Sequence, residues 1–122
     1  MYELEVFRSF SAAHQLNGYN GDCSKLHGHN WQVTTVLQVK ELDTVGIAID
    51  FKILKKELDA VLDQFDHANL SCLPCFNTIN PTSENLARII YQALAAKLDD
   101  GNVKVARVKV SESPGSTASY YE

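Results

Sequence analysis

The chain has 122 residues, of which 45% are hydrophobic and 21% charged, a composition typical of one globular domain spanning residues 1–122. Its net charge of −4 and the lack of a basic run longer than Lys55-Lys56 argue against a nucleic-acid partner. The sequence has no stretch of 18 apolar residues and no basic-then-apolar leader, so we expect a cytoplasmic protein without membrane contact.

Residues 2 to 14 alternate between apolar and polar side chains, which predicts a strand with one buried face. His14 falls on the apolar phase at the far end of this strand. Taken alone, it could be either a core histidine with a hydrogen-bond partner or a metal ligand. Residues 15–26 are rich in turn formers and predict a loop.

A second alternating segment begins at His27 and runs to about residue 40, with His27 and His29 on its apolar phase. Residues two apart project from the same face of a strand. If the two strands form an antiparallel pair, the end of the first lies beside the start of the second, and His14 joins the other two histidines. Three histidines that leave a fourth position open are typical of a catalytic zinc site. The pattern therefore favours metal binding at this end of the sheet.

Two amphipathic helices follow the predicted strand pair. Asp50 is placed to cap the first, over residues 51–65, where apolar residues recur at spacings of 3, 4 and 7. The second begins at Pro81-Thr82-Ser83-Glu84, with a hydroxyl cap and an early acid, and ends near Asp99-Asp100-Gly101.

Asp66 and His67 come directly after the first helix, and two interpretations are open. The carboxylate could orient the imidazole as a general base, or the histidine could simply be favoured by the helix dipole. Cys72 and Cys75 form a C-x-x-C in a loop-like segment. Because this motif does not open a helix after a strand and no second cysteine pair is present, we interpret both as ordinary thiols.

Residues 103–112 predict another strand, whose apolar phase moves from Val103 and Val105 to Val108 and Val110, which indicates a β-bulge. Glu112 continues the apolar phase, where a carboxylate needs a donor or a ligand. Residues 116–121 predict a short last strand. The order ββααββ predicts an α+β fold, a four-stranded antiparallel sheet with two helices on one face.

In combination these motifs resemble the 6-pyruvoyltetrahydropterin synthase family over essentially the whole chain. The spacing from cysteine to His-Gly-His is most similar to the 6-carboxytetrahydropterin synthase branch, which serves queuosine (7-deazaguanine) biosynthesis. The motifs are His14, Cys23-x-x-x-His27-Gly28-His29, Asp50-Phe51, Asp66-His67-x-x-Leu70, Pro81-Thr82-Ser83-Glu84-Asn85 and Glu112.

The resemblance implies the tunnelling fold, in which sheets of several subunits join side by side into a barrel. It implies homotrimers or homohexamers with active sites at subunit interfaces, and Asp66 with His67 acting from a neighbouring subunit. The implied residues are, for zinc, His14, His27 and His29; for proton transfer, Cys23 assisted by Asp66 and His67; and for the pterin ring, Glu112.

The implied reaction is a zinc-dependent conversion of 7,8-dihydroneopterin triphosphate to 6-carboxy-5,6,7,8-tetrahydropterin, with release of acetaldehyde and triphosphate. Two alternatives stay open at this point. One is a 6-pyruvoyltetrahydropterin synthase, which eliminates triphosphate only, and the other is a noncatalytic module that binds metal or pterin. The residues that hold the triphosphate are not identified, since Lys25 is equally well read as a loop lysine.

Overall fold

The structure is a computed structural model that describes residues 1–18, 21 and 24–122. Two short 3-10 turns, Leu70–Cys72 and Pro74–Phe76, precede the second helix. No helix in the described ranges is both long enough and apolar enough to cross a membrane. The regular elements are β1 (Tyr2–His14), β2 (His27–Val39), α1 (Phe51–Leu62), β3 (Ala68–Asn69), α2 (Ser83–Leu98), β4 (Val103–Ser113) and β5 (Ser116–Tyr120).

The strands form one mixed sheet in the order β3-β1-β2-β4-β5. Strands β1, β2, β4 and β5 pair antiparallel, which confirms the predicted α+β fold and its four strands. The prediction missed a fifth strand, because β3 has only two residues and runs parallel to β1. The sheet is open within one chain, with β3 and β5 as its two edges.

Both helices cover the same face of the sheet, as the alternating burial along β1, β2 and β4 shows. Burial of large apolar side chains supplies most of the stabilising free energy, at about 25 cal/mol per Å² of apolar surface. The fully buried side chains of this core include Trp31, Val33 and Leu37 of β2, Leu54 and Leu58 of α1, and Leu86, Ile90 and Leu94 of α2.

Two bulges bend β4, one of which the sequence predicts. Val36 pairs with Arg107 and Leu37 with Val105, so Ala106 is left unpaired where the apolar phase changes. The second bulge lies toward the end of β4. Ser111 pairs with Thr117 and Ser113 with Ser116, which leaves Glu112 as the extra residue. A bulge redirects the side chain of its extra residue.

Helix α1 begins as predicted, with the Asp50 carboxylate accepting from the backbone N–H of Lys52 at 2.8 Å. It ends at Leu62, three residues before the predicted end, and the chain then turns sharply toward β3. His67 takes a left-handed backbone conformation in this turn, with φ of 57°. Phe65 lies outside the helix but remains fully buried.

Replacing Phe65 with alanine is expected to cost about 3–5 kcal/mol of unfolding free energy, because the ring fills the core between Phe10 and Phe76. Chemical denaturation followed by circular dichroism measures this loss. The control is Phe51→Ala, where the ring is 51% exposed and the expected loss is below about 1 kcal/mol. Equal losses at the two positions would show that the region around Phe65 is not tightly packed.

Candidate active site

Three histidines meet at the end of the sheet, on the face that the helices cover. His14 is directly paired with His27 across β1 and β2, and His29 lies two residues further along β2. One ring nitrogen from each lies within 4.8 Å of the others. The convergence that strand pairing predicts is therefore observed, and these three side chains could hold a metal ion.

Two backbone carbonyls orient two of these rings. The Nδ1–H of His14 donates to the carbonyl of Pro81 at 2.7 Å, and that of His27 donates to the carbonyl of Lys25 at 2.6 Å. A carbonyl can only accept, so Nδ1 carries the proton in both rings. In neutral rings the two Nε2 atoms then present lone pairs to each other across 2.9 Å. That arrangement repels unless a cation lies between them, so it suits a metal ion.

His29 adds a third nitrogen in need of a partner. Its Nε2 is buried and has no hydrogen-bond partner among the described residues. Burial lowers the pKa of His14 and of His29 below the usual value for histidine. Neutral imidazole is the form that binds a metal, so the donor set fits a divalent cation that accepts nitrogen ligands.

Trp31 packs against two of the three histidine rings. Its ring packs edge-on against His14 and His29, with ring centroids 4.8 and 5.2 Å away, and its Nε1–H donates to the carbonyl of Ala12 at 3.2 Å. Trp31 is completely buried. This packing restricts the rotation of the His14 and His29 rings and thereby holds their nitrogens in position.

Glu112 lies beside the histidines, although it is not fully buried. Its Oε2 is 3.7 Å from the Nε2 of His29, and its side chain is 34% exposed. The other oxygen, Oε1, accepts a hydrogen bond from the hydroxyl of Ser83 at 3.2 Å. The sequence predicts that this carboxylate needs a hydrogen-bond donor or a ligand, and Ser83, the first residue of α2, is such a donor. The exposed part of the carboxylate is accessible to a ligand.

Asp66 and His67 contact each other, at the opposite edge of β1 from β2. The Nδ1 of His67 lies 3.0 Å from the Oδ1 of Asp66, and the backbone N–H of Ser11 donates to the same oxygen at 3.0 Å. This backbone hydrogen bond is the main cause that lowers the pKa of Asp66. The His67 side chain is 83% exposed. Among the described residues no hydrogen bond or ring contact joins this pair to the three histidines, although His67 and His29 line the same open pocket, and the His67 side chain points to solvent.

The other residues singled out in the sequence are placed as follows. Cys23, the expected proton-transfer residue, lies outside the described residues. Lys25 is exposed, and it contributes its backbone carbonyl to His27. Cys72 and Cys75 are free thiols, and burial raises the pKa of Cys75, whereas a reactive thiol needs a lowered pKa.

Sequence reasoning did not find the groups that orient the site. The Pro81 carbonyl carries no side-chain signal, so no motif could reveal that it accepts from His14. Ser83 was visible only as part of a helix-start motif. The contact between Ser83 and Glu112 joins the start of α2 to the end of β4, and no local pattern in the sequence predicts a contact between such distant segments.

These observations define an α+β protein with three convergent histidines that could hold a metal ion at one end of its sheet and a carboxylate beside them. The sequence matches the profile of the family described as 6-pyruvoyl tetrahydropterin synthase over residues 3–122. The chain belongs to this family.

Relatives within the family carry different names. A relative from Archaeoglobus fulgidus, 38% identical over 90% of this chain and 87% of its own, is named a putative 6-carboxy-5,6,7,8-tetrahydropterin synthase. Other relatives of 24% to 34% identity carry the name 6-carboxy-5,6,7,8-tetrahydropterin synthase. One from Pyrococcus furiosus, 34% identical over 85% of this chain and 83% of its own, is named a dihydroneopterin monophosphate aldolase.

The fold matches a solved member of the family. The structure of Caenorhabditis elegans 6-pyruvoyl tetrahydropterin synthase superposes with a TM-score of 0.87 at 31% identity, covering 99% of this chain and 95% of that one. The tunnelling-fold assignment is therefore confirmed for the single chain.

Proposed function

We propose that this protein is a zinc-dependent lyase that converts 7,8-dihydroneopterin triphosphate and one water molecule to 6-carboxy-5,6,7,8-tetrahydropterin, acetaldehyde and triphosphate. Its product would enter 7-deazaguanine (queuosine) biosynthesis. The observation that carries this proposal is the set of three convergent histidine nitrogens beside a carboxylate that is about one-third exposed. The names of several relatives support the carboxytetrahydropterin product.

In this proposal His14, His27 and His29 hold the zinc ion. When bound there, zinc supplies a Lewis acid that polarises the hydroxyl groups of the substrate side chain. The exposed part of the Glu112 carboxylate accepts two parallel hydrogen bonds from the 2-amino and ring N–H groups of the pterin. The hydroxyl of Ser83 holds the Glu112 Oε1 atom, which limits the carboxylate to few orientations.

Cys23 is assigned the proton transfer at the substrate side chain. A thiol with an ordinary pKa near 8.5 becomes an effective base when a nearby positive charge lowers that pKa. Asp66 and His67 assist it, with the carboxylate holding the imidazole through the 3.0 Å contact between them. Both assignments come from the family resemblance.

The position of Asp66 and His67 supports an assembly in which subunits complete one another's sites. They lie at the β3 edge of the sheet, whereas the three histidines lie between β1 and β2. We propose that sheet edges of neighbouring chains pair in a homotrimer or homohexamer, which also covers the two open edges. The Asp66–His67 pair of one chain then serves the histidine site of another.

The reaction is tested by incubating the zinc-loaded protein with 7,8-dihydroneopterin triphosphate and identifying the pterin product by mass spectrometry. We expect 6-carboxytetrahydropterin. A 6-pyruvoyl product would indicate triphosphate elimination alone, as the name of the C. elegans protein suggests. Turnover of dihydroneopterin monophosphate but not of the triphosphate would favour the aldolase named in P. furiosus. Unchanged substrate in both reactions would indicate a noncatalytic binding module.

The shared site predicts that two inactive variants restore each other. Cys23→Ala and His67→Ala are each expected to lose at least about 100-fold in turnover, a typical contribution of one acid–base group, while both retain zinc. Unfolding and refolding them as a mixture would place an intact Cys23 beside an intact His67 at some interfaces. Activity measured on the mixture should then exceed the sum of the two separate preparations.

The matched control is a mixture of Cys23→Ala with Asn77→Ala, treated in the same way. Asn77 is exposed, and the activity of this mixture should equal that of its Asn77→Ala portion. If the Cys23→Ala and His67→Ala mixture gains nothing, the two residues act within one chain, or one of them has no role.

A further inference from the structure

The side chain of Asn80 joins the segment after β1 to the segment before α2. Its Oδ1 accepts from the backbone N–H of Asn17 at 2.9 Å, and its Nδ2 donates to the carbonyl of Asn17 at 2.9 Å. Only this orientation of the amide satisfies both backbone groups. The carboxamide therefore pairs with Asn17 as the backbone of a neighbouring strand would.

The backbone of Asn80 is held as well. Its carbonyl accepts from the Nδ2 of Asn85 at 2.8 Å and from the backbone N–H of Thr82 at 2.9 Å. The backbone N–H of Asn85 also donates the N-cap hydrogen bond to the hydroxyl oxygen of Thr82, at 3.1 Å, in the first turn of α2. The Asn80 amide is thus attached to the start of a 16-residue helix that packs on the core.

These contacts form a closed ring that includes a histidine of the metal site. The chain links His14 to Asn17, the amide links Asn17 to Asn80, the chain links Asn80 to Pro81, and the Pro81 carbonyl accepts from His14. The position of the Pro81 carbonyl relative to His14 is therefore set from both sides. Without the amide contacts, the carbonyl could shift relative to the strand that bears the histidine.

We propose that Asn80 is a positioning residue of the metal site, which acts through the Pro81 carbonyl on the orientation of His14. This inference rests on the metal-dependent function proposed above. Loss of a group that orients a metal-ligating histidine typically weakens metal binding by about 10- to 100-fold. Asn80 does not contact His14 and acts on it through the Pro81 carbonyl. We therefore expect its loss to weaken metal binding by about 10-fold, the lower end of that range.

The test is a cobalt(II) titration of the metal-free protein, followed by the visible absorption of the bound ion. Asn80→Asp keeps the size of the side chain and the acceptor for the Asn17 N–H, but it places an oxygen against the Asn17 carbonyl. An added negative charge near the site would by itself strengthen cation binding. Weaker binding therefore reports the lost amide donor and not the charge.

The matched control is Asn77→Asp, which makes the same charge change at an exposed position three residues earlier. The side chain of Asn77 makes no hydrogen bond within the described ranges. We expect cobalt binding about 10-fold weaker in Asn80→Asp and within about twofold of wild type in Asn77→Asp. Activity lost by Asn80→Asp at limiting zinc should return at saturating zinc, which a purely structural defect would not produce.

Wild-type affinity for cobalt in Asn80→Asp would overturn the proposal, and so would a wild-type chain that binds no cobalt. If Asn80→Asp does not fold, Asn85→Ala removes one of the two donors that hold the Asn80 carbonyl. It should also weaken cobalt binding, and unchanged binding in that variant would again overturn the proposal. A wild-type chain that binds cobalt but releases no acetaldehyde would contradict the lyase function alone, because the cobalt comparison still decides the role of Asn80.

Discussion

Replacing His14 with alanine is expected to weaken zinc binding by more than about 100-fold and to abolish turnover. Loss of a group that hydrogen-bonds to a metal ligand typically lowers metal affinity by about 10- to 100-fold, and loss of the ligand itself should lower it more. His14 is the most buried of the three histidines, and its ring contacts both His27 and His29. Removing it leaves the Pro81 carbonyl without its donor, and the His27 and His29 rings each lose the contact with His14. Metal analysis of the purified protein and a zinc titration measure the effect.

The control for this substitution is His67→Ala, at a histidine that is 83% exposed and lies outside the cluster. Its zinc content should equal that of the wild type, even though turnover is lost. If His14→Ala retained full zinc content, the assignment of the three histidines as zinc ligands would be wrong. If both variants lost zinc equally, the ligand set would have to include His67.

Replacing Glu112 with glutamine is expected to raise KM by about 100-fold or more while zinc content stays unchanged. Hydrogen bonds to a charged group contribute about 1.5–3 kcal/mol each, and the proposed pterin contact contains two. Glutamine keeps the size of the side chain but removes the charge and one acceptor. Steady-state kinetics with the pterin triphosphate measures KM and kcat separately.

Glu41→Gln provides the matched control, because Glu41 is exposed and contacts Asn102 only through its backbone. We expect its KM to equal the wild-type value. A loss of zinc in Glu112→Gln would instead make Glu112 a partner of the metal site through His29, from which its Oε2 lies 3.7 Å away. An unchanged KM would remove Glu112 from the substrate site.

Much of the site follows from the two-residue period of strands. That period places His14 on the apolar face of β1 and His27 with His29 on the same face of β2, and antiparallel pairing then brings the strand ends together. The first bulge of β4 was visible for the same reason, as a change of apolar phase at Ala106. Periodicity thus predicts which side chains share a face.

The parts that escaped prediction depend on groups without a periodic signal. Strand β3 has two residues, too few to alternate, and it pairs parallel to a strand distant in sequence. The Pro81 carbonyl is a backbone atom, and the Asn80 amide contacts only the backbone of Asn17. Such contacts are set by how α2 packs against the end of β1, and packing between distant segments cannot be read from local pattern.

The end of α1 shows the same limit. The apolar spacing continues through Phe65, which is indeed buried, yet the helix stops at Leu62. The residues after Leu62 form the turn that leads into β3. In this turn the backbone N–H of His67 donates to the carbonyl of Ser11 in β1. We infer that α1 ends at Leu62, three residues before the predicted end, because the following segment pairs with β1.

The central claim is that this chain cleaves the side chain of a pterin triphosphate and does not merely eliminate its phosphate. The most direct test is the ratio of acetaldehyde to triphosphate released by the zinc-loaded protein from 7,8-dihydroneopterin triphosphate. We expect one acetaldehyde for each triphosphate, with both lost in His14→Ala. Triphosphate released without acetaldehyde would contradict the claim.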